Sequence, residues 1–321
     1  MPIIEDPFYT SFAAASSSPP VRLDIDSLYE VFDQFVQMAP IHNAVALRSA
    51  NWQVCRAINY ALYKTTTISV ELKWHKDRLE NPEPDIIIQG SHIRSLEKAE
   101  ECIDFIFSHA RMITHLSIDI EVAGAGKYLN ALLEKFIGRE NVQLEVLKIR
   151  RRYIGESFPI ISDLIYEHAS TLKIVGRIGL TEAVDGFTQK LHLQRLSLMN
   201  FDLIDDATMD SPMLFEKTRY CMRKIADTGA TFEHLSYTTY CGFEIARQPT
   251  LQFLRSAEVQ SLRVTMQEGN PLPYSDRVIL ETLKSLEFVG DMDIESDNLA
   301  KQFPNLSHFD FVRQNLACCG A

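Results

Sequence analysis

A glycine-rich segment and a set of histidines are the residues of this sequence that could bind phosphate or a metal ion. Each does so only at a defined spacing. Gly124-Ala125-Gly126-Lys127 is similar to the end of a phosphate-binding loop. Such a loop also needs a glycine five residues before its Gly-Lys pair and a serine or threonine after it. Glu121 and Tyr128 stand at those positions. We therefore predict an ordinary loop between a strand and a helix.

Three of the histidines recur at one position of a repeated pattern. His115, His234 and His308 each precede the central apolar residue of a predicted strand. Residues in separate repeats are rarely close enough to share a metal ion, and the sequence has neither an HExxH motif nor Cys/His zinc spacing. A GxSxG nucleophile motif is also absent. We predict that the chain is not an enzyme and that it needs no cofactor or metal.

Composition excludes several other classes of protein. Hydrophobic residues make up 46% of the 321 residues, so a large core is available, and the net charge of −11 argues against a nucleic-acid partner. No apolar run approaches the roughly 18 residues of a membrane span. The N-terminus lacks the pattern of a signal peptide, and the six cysteines are scattered. Reduced thiols and a cytoplasmic or nuclear location are therefore predicted.

One apolar pattern predicts the strands that make up most of the chain. It consists of an apolar residue, two variable residues, an apolar residue, one variable residue and a third apolar residue. Such alternation directs one side of a short strand into a core. Successive copies are mostly 23–31 residues apart, with one step of 39. The central apolar residues of the eight copies are Leu116, Leu147, Leu172, Leu196, Leu235, Leu262, Leu286 and Phe309.

Helices are predicted between these strands. A further strand is predicted over 68–72, with room for one degenerate copy around 86–88, and the long step is interpreted as a surface loop near 205–212. Strand–helix units of this kind stack with parallel strands inside a curve and helices outside it. We therefore predict an α/β fold, a curved solenoid with a parallel sheet. Apolar residues at helical spacing lie in 98–112, 128–136, 159–168, 213–227 and 243–255.

These repeats resemble those of leucine-rich repeat proteins over residues 65–315, because that family has a period of roughly 20–29 residues. No asparagine recurs after the strand, so the resemblance implies an irregular solenoid without the family's asparagine ladder. The alternative is an ordinary α/β domain in which the leucine spacing is coincidental.

Basic residues at outward strand positions form a candidate surface for binding a target protein. On the concave face they could meet an acidic or phosphorylated segment of a partner. The alternative is a solvated charged edge. The predicted target-binding residues are Lys148, Arg150, Lys173, Arg195 and Arg263, with Arg151 and Arg152 continuing the first group.

A helical module is predicted before the repeats. Residues 1–20 include a Ser-Ser-Ser-Pro-Pro run and are predicted to be disordered. Asp26 or Ser27 can cap a first helix, which Pro40 ends, and further helix is predicted over 44–62. The first helix carries an apolar stripe of Leu28, Val31, Phe32 and Phe35.

This module resembles an F-box, the short helical unit that docks substrate receptors onto Skp-type adaptors of cullin-based ubiquitin ligases. A module placed before a repeat array is common in F-box receptors, and the irregular repeats resemble those of nematode F-box families. Two positions depart from the motif. Asp24 stands where the motif has a proline. The motif's late tryptophan corresponds to Ile58 if Val54-Cys55-Arg56 is aligned with it, and to Trp52 if it is not. The resemblance implies adaptor contacts by Leu23, Leu28, Val31, Phe32, Phe35 and Val54.

The predicted domains are a disordered segment at 1–20, an F-box-like module at 21–63, a leucine-rich-repeat-like solenoid at 64–316 and a flexible tail at 317–321. The resemblance implies a substrate receptor that binds a Skp-type adaptor, and through it a cullin, together with an unidentified target protein. The alternative is a non-catalytic scaffold whose N-terminal helices cap the solenoid. Cys318 is fourth from the end, but Cys319 and Gly320 fit a prenylation signal poorly. An unmodified tail is therefore favoured.

Overall fold

A computed structural model describes residues 24–73, 84–151, 157–199, 211–239, 248–266, 279–290 and 299–312. The predictions for 1–20, for residues 205–210 of the predicted loop and for the tail at 317–321 lie outside these residues, whereas Ser211 and Pro212 of that loop begin a helix. The helices are α1 (Ile25–Met38), α2 (Ile41–Leu47), α3 (Trp52–Lys64), α4 (Leu96–His109), α5 (Gly126–Glu134), α6 (Pro159–Glu167), α7 (Leu180–Gly186), α8 (Ser211–Asp227), α9 (Gln248–Ser256) and α10 (Leu299–Gln302). The strands are β1 (Thr67–Lys73), β2 (Asp85–Ile88), β3 (Ser91–Ile93), β4 (Ile113–Ile120), β5 (Val142–Arg151), β6 (Ile174–Gly179), β7 (His192–Met199), β8 (Thr231–Thr239), β9 (Ser261–Met266), β10 (Ser285–Val289) and β11 (His308–Val312).

The eleven strands of the described residues form one sheet in the order β11-β10-β9-β8-β7-β6-β5-β4-β1-β2-β3. The strands from β4 to β11 are parallel and lie side by side in chain order. Helices α4 to α9 also pack against their neighbours in chain order. The predicted α/β class and mostly parallel sheet are confirmed, and the arrangement is solenoid-like.

The central apolar residues of the repeats lie opposite one another across nine strands. Burial of such a side chain stabilises a fold by about 1.5–3 kcal/mol, so this row is a main source of stability. Phe309 remains 42% exposed because β11 is the last strand. The row consists of Ile68, Leu116, Leu147, Val175, Leu196, Leu235, Leu262, Leu286 and Phe309.

The repeat copy centred on Leu172 was predicted in the wrong register. Leu147 lies opposite Val175, and Val175 lies opposite Leu196. The true centre is therefore three residues later, which changes the steps to 175 − 147 = 28 and 196 − 175 = 21 residues. The physical reason is a β-bulge in β6 between Val175 and Ile178, which breaks the alternation that the pattern assumed.

The sequence predicted a degenerate repeat around 86–88, but these residues form a strand of an antiparallel hairpin. Strand β2 pairs with the outer side of β1, and β1 itself pairs in parallel with β4. Gln89 and Gly90 have φ values of 48° and 71°. Positive φ at both central residues is the requirement of a tight type I′ turn, so the chain reverses here and ends the sheet with the short strand β3.

Side-chain hydrogen bonds to backbone carbonyls link successive strand–helix units. The hydroxyl of Thr171 donates to the Leu144 carbonyl at 2.8 Å, and that of Thr282 donates to the Val259 carbonyl at 3.0 Å. Both threonines lie just before a strand and reach the same position of the preceding unit. The side-chain amides of Asn141 and Asn305 also donate to carbonyls of the preceding unit.

A buried ion pair joins the end of β5 to helix α7. The Glu182 carboxylate accepts hydrogen bonds from Arg151 and from the backbone N–H groups of Phe158 (2.8 Å) and Gly179 (2.9 Å). Burial raises the pKa of Glu182, whereas Arg151 and the backbone donors act in the opposite direction. A buried charge is tolerated only when it is paired in this way.

Candidate protein-binding surfaces

Three short helices form the N-terminal module. Asp24 caps α1 by accepting a hydrogen bond from the Ser27 N–H at 2.7 Å, so the predicted cap at Asp26 or Ser27 was two or three residues late. The predicted helix over 44–62 is instead two helices, α2 and α3. Asn51 starts the second one by accepting from the Val54 N–H at 2.9 Å.

The module packs against itself and against the first repeats. Helices α1 and α3 meet through the rings of Tyr29 and Tyr60, whose centroids are 5.1 Å apart. The His42 N–H donates to the Ser91 hydroxyl in β3 at 3.2 Å, and the Arg48 guanidinium lies 5.3 Å from the ring centre of Phe105 in α4. The module therefore lies on the hairpin end of the sheet.

The residues predicted to bind an adaptor have different environments. Phe32, Phe35 and Val54 are half-buried and pack against the core, and Leu28 is also half-buried. Val31 is 49% exposed. Leu23 lies outside the described residues. Packing within the protein therefore covers part of the surface of Phe32, Phe35 and Val54.

Exposed apolar side chains are concentrated on the module. Of the eleven large hydrophobic residues exposed in the described part of the chain, seven lie on α1–α3. Large exposed apolar surfaces usually mark sites of interaction, so this concentration makes the module a candidate docking surface. The seven residues are Val31, Met38, Val45, Leu47, Trp52, Tyr60 and Tyr63.

The sheet face opposite the helices is the second candidate surface. Three of the five predicted target-binding residues have acidic partners there. Arg150 lies 3.5 Å from Asp119, Lys173 lies 2.8 Å from Glu145, and Arg263 lies 3.6 Å from Glu287. Surface pairs of this kind contribute little stability, but they neutralise the charge that an acidic partner would meet.

Lys148 and Arg195 differ from these three, because among the described residues neither has an acidic partner. A third exposed cation, Arg177, lies between them on β6 and is equally unpaired within that part of the chain. The sequence pattern missed Arg177 because it placed the β6 repeat three residues too early. The sequence did contain a signal for Arg177, because a positively charged residue directly before an apolar one, Ile178, is typical of an outward strand position.

The predicted histidine row is confirmed, since His115, His234 and His308 occupy one row across the sheet. Strands β4 and β8 are four positions apart, or about 19 Å, so these side chains cannot share a metal ion. In the ranges that the structure describes, no group of three or more potential ligands could hold a metal.

The predicted loop around Gly124 is also confirmed, as it joins β4 to α5. No helix in the described residues is both long and apolar enough to cross a membrane.

No protein-family model matches the chain, and a search of curated proteins finds no match either.

Proposed function

We propose that this chain is a substrate receptor of an SCF-type ubiquitin ligase, located in the cytoplasm or nucleus. Helices α1–α3 would be an F-box that binds a Skp-type adaptor and, through it, a cullin. The following strands and helices would be a leucine-rich-repeat-like solenoid whose open sheet face holds a target protein. The chain contributes position rather than catalysis, because it presents a lysine of the target to a conjugating enzyme.

The concentration of exposed apolar side chains on α1–α3 carries this proposal. A module that only covered the end of a sheet would turn its apolar residues inward. Val31, Leu47 and Trp52 instead face solvent, with exposed fractions of 49%, 39% and 62%. Tryptophan is among the residues that most often dominate the binding energy of protein interfaces, which makes Trp52 a candidate anchor.

The second candidate is a scaffold protein whose N-terminal helices serve as a cap. The packing of Phe32, Phe35 and Val54 against the core favours it, because terminal repeats of a solenoid need such a cover. The two candidate functions differ in whether the exposed apolar side chains of α1–α3 bind another protein.

Co-expression with Skp-type adaptors, followed by size-exclusion chromatography, tests the proposal. We expect a stable one-to-one complex with the wild-type chain. The double variant Val31→Glu, Leu47→Glu should abolish the complex, because two charges at the centre of an apolar interface cost several kcal/mol. Both side chains are exposed, so the fold should tolerate the substitutions. Phe32→Glu is a poorer test because Phe32 also packs against the core.

Tyr166→Glu is the matched control. Tyr166 is 57% exposed on α6, away from the module, and its substitution should leave the complex intact. If a folded wild-type chain binds no adaptor, or if the double variant binds as well as wild type, the ligase proposal fails and the scaffold remains.

A further inference from the structure

Three exposed cations lie together on the open face of strands β5, β6 and β7. Lys148 in β5 is directly opposite Gly176 in β6, and Arg195 in β7 is opposite Ile174, two residues earlier on β6. The Cα atoms of Lys148 and Arg195 are therefore about 12 Å apart, from the strand spacing and the rise per residue. Both side chains are long enough to meet above β6.

The β6 bulge brings the third cation to the same place. Val175 and Ile178 are both fully buried against the helices, and the two residues between them together oppose the single residue Ser197. Gly176 and Arg177 therefore share the open side of the sheet. Arg177 has a φ of 55°, a conformation that is uncommon for any residue other than glycine, asparagine or aspartate. Bulges and strained residues of this kind recur at functional sites, where they redirect a side chain.

Gly176 leaves an open space between the cations. A Cβ atom there would approach nothing nearer than 3.8 Å, the Leu147 carbonyl oxygen and the Lys148 Cα atom. A side chain would therefore fit, but none is present. The backbone of β6 therefore lies uncovered at Gly176, and the exposed residues Lys148, Arg177 and Arg195 lie on or next to it.

The absence of acidic partners sets this cluster apart. Elsewhere on the same face, neighbouring acids neutralise Arg150, Lys173 and Arg263. Like charges on adjacent strands repel one another, and within the described residues no carboxylate relieves this repulsion for Lys148, Arg177 and Arg195. An external anion would do so.

We infer that Lys148, Arg177 and Arg195 bind a single phosphoryl group, carried on a serine or threonine in an extended segment of the target protein. A phosphomonoester carries about −1.5 to −2 charges at pH 7 and three acceptor oxygens, and it matches the forked donors of arginine. A polyanion such as nucleic acid would be repelled by the net charge of −11. The identity of the carrier rests on the proposed function, whereas the anion site rests on the geometry alone.

The test is capture of degenerate peptide pools by the full-length chain. One pool has a fixed central phosphoserine, a second has serine there and a third has glutamate. We expect capture of the phosphoserine pool and competition by inorganic phosphate. Lys148→Gln, Arg177→Asn and Arg195→Gln should each lower capture about tenfold, since each removes charge-assisted hydrogen bonds. Asparagine at 177 retains tolerance of a positive φ.

Arg223→Gln, which removes an exposed charge on the outer helix α8, is the matched control and should leave capture unchanged. Equal capture of the serine or glutamate pool, wild-type capture by the triple variant, or binding of inorganic phosphate with no capture of the phosphoserine pool would overturn the inference. Adaptor binding is measured separately. Its absence alongside phosphopeptide capture would end the ligase proposal and leave this site intact.

Discussion

His168 is a titratable side chain that folding removes from water. It follows α6 and is only 6% exposed. Burial lowers the pKa of its imidazole, while the nearby Glu167 carboxylate and a hydrogen bond to the Phe136 backbone act in the opposite direction. The neutral ring is therefore the form that the folded chain accommodates best.

This environment predicts a pH dependence of stability. The folded-state pKa of His168 lies below the ordinary value of 6.5, so below about pH 6.5 the unfolded chain binds more protons. The contribution to stability is complete above that pH and is lost as the pH falls towards the folded-state pKa. Urea unfolding at several pH values should show a steeper loss between about pH 7 and pH 5 for wild type than for His168→Gln. Parallel curves for the two proteins would contradict the prediction.

Residue types were predictable from the sequence, but their pairing was predictable only in part. The basic character of Lys148, Arg150, Lys173, Arg195 and Arg263 is plain in the sequence. Which of them have acidic partners depends on residues 24 to 31 positions away, such as Asp119 for Arg150 and Glu287 for Arg263. For Arg150 and Arg263 these separations equal the predicted steps between repeats, so the alignment of the repeats already indicates both pairs. The pairing of Lys173 with Glu145 depends on the register of β6, which the sequence pattern did not give.

At the scale of elements, α6 and α7 approach each other closely at Gly186. A Cβ atom at Gly186 would lie 3.0 Å from the Cβ atom of Ile165 and 3.1 Å from the Ser162 carbonyl oxygen. The Ser162 hydroxyl also donates to the Glu182 carbonyl at 3.1 Å, so it joins the same two helices. The absence of a side chain at Gly186 therefore sets the separation of these helices.

Gly186→Ala should lower the free energy of unfolding by about 1–3 kcal/mol, because the added methyl group overpacks the contact. In an uncrowded helix the same change would be stabilising. Gly176→Ala is the matched control, since its Cβ atom would make only ordinary contacts on the open face, and its effect should stay within about 0.5 kcal/mol. Denaturant unfolding measures both. Equal effects would show that helix proximity is not limiting.

Other elements differ in how well sequence periodicity identifies them. The helices predicted over 159–168 and 213–227 correspond closely to α6 and α8, and the predicted 98–112 helix corresponds to α4, because each carries a continuous apolar stripe. The predicted 243–255 helix corresponds to α9 (Gln248–Ser256) in the described residues, and its first five positions lie outside them. The short helix α7 was not predicted, because its seven residues span only about two turns and the buried Glu182 lies among its buried apolar residues Leu180 and Ala183.

At the scale of the whole molecule, the strands contact mainly their neighbours in the sheet, so stability should vary along its length. Central strands such as β5 and β7 have a partner on both sides, whereas β11 pairs only with β10 among the described strands. In repeat architectures, terminal units open before central ones.

Hydrogen exchange measured by mass spectrometry should reveal this gradient. We expect amides of β5 and β7 to exchange at least about tenfold more slowly than those of β11, because a terminal strand can separate without disturbing the rest of the sheet. The short strand β3 at the other end should exchange faster than β1. Uniform protection across all strands would mean that the sheet unfolds as one cooperative unit.

By itself, the sequence determined the fold class and the repeating strand–helix order, because short-range apolar periodicity reflects which side of each element is buried. It also indicated a helical module before the repeats. Only the tertiary structure decided the direction of β2, the register of β6 and the grouping of Lys148, Arg177 and Arg195. These depend on a tight turn, a bulge and the alignment of distant strands, which are set by backbone conformation and long-range hydrogen bonding rather than by local pattern.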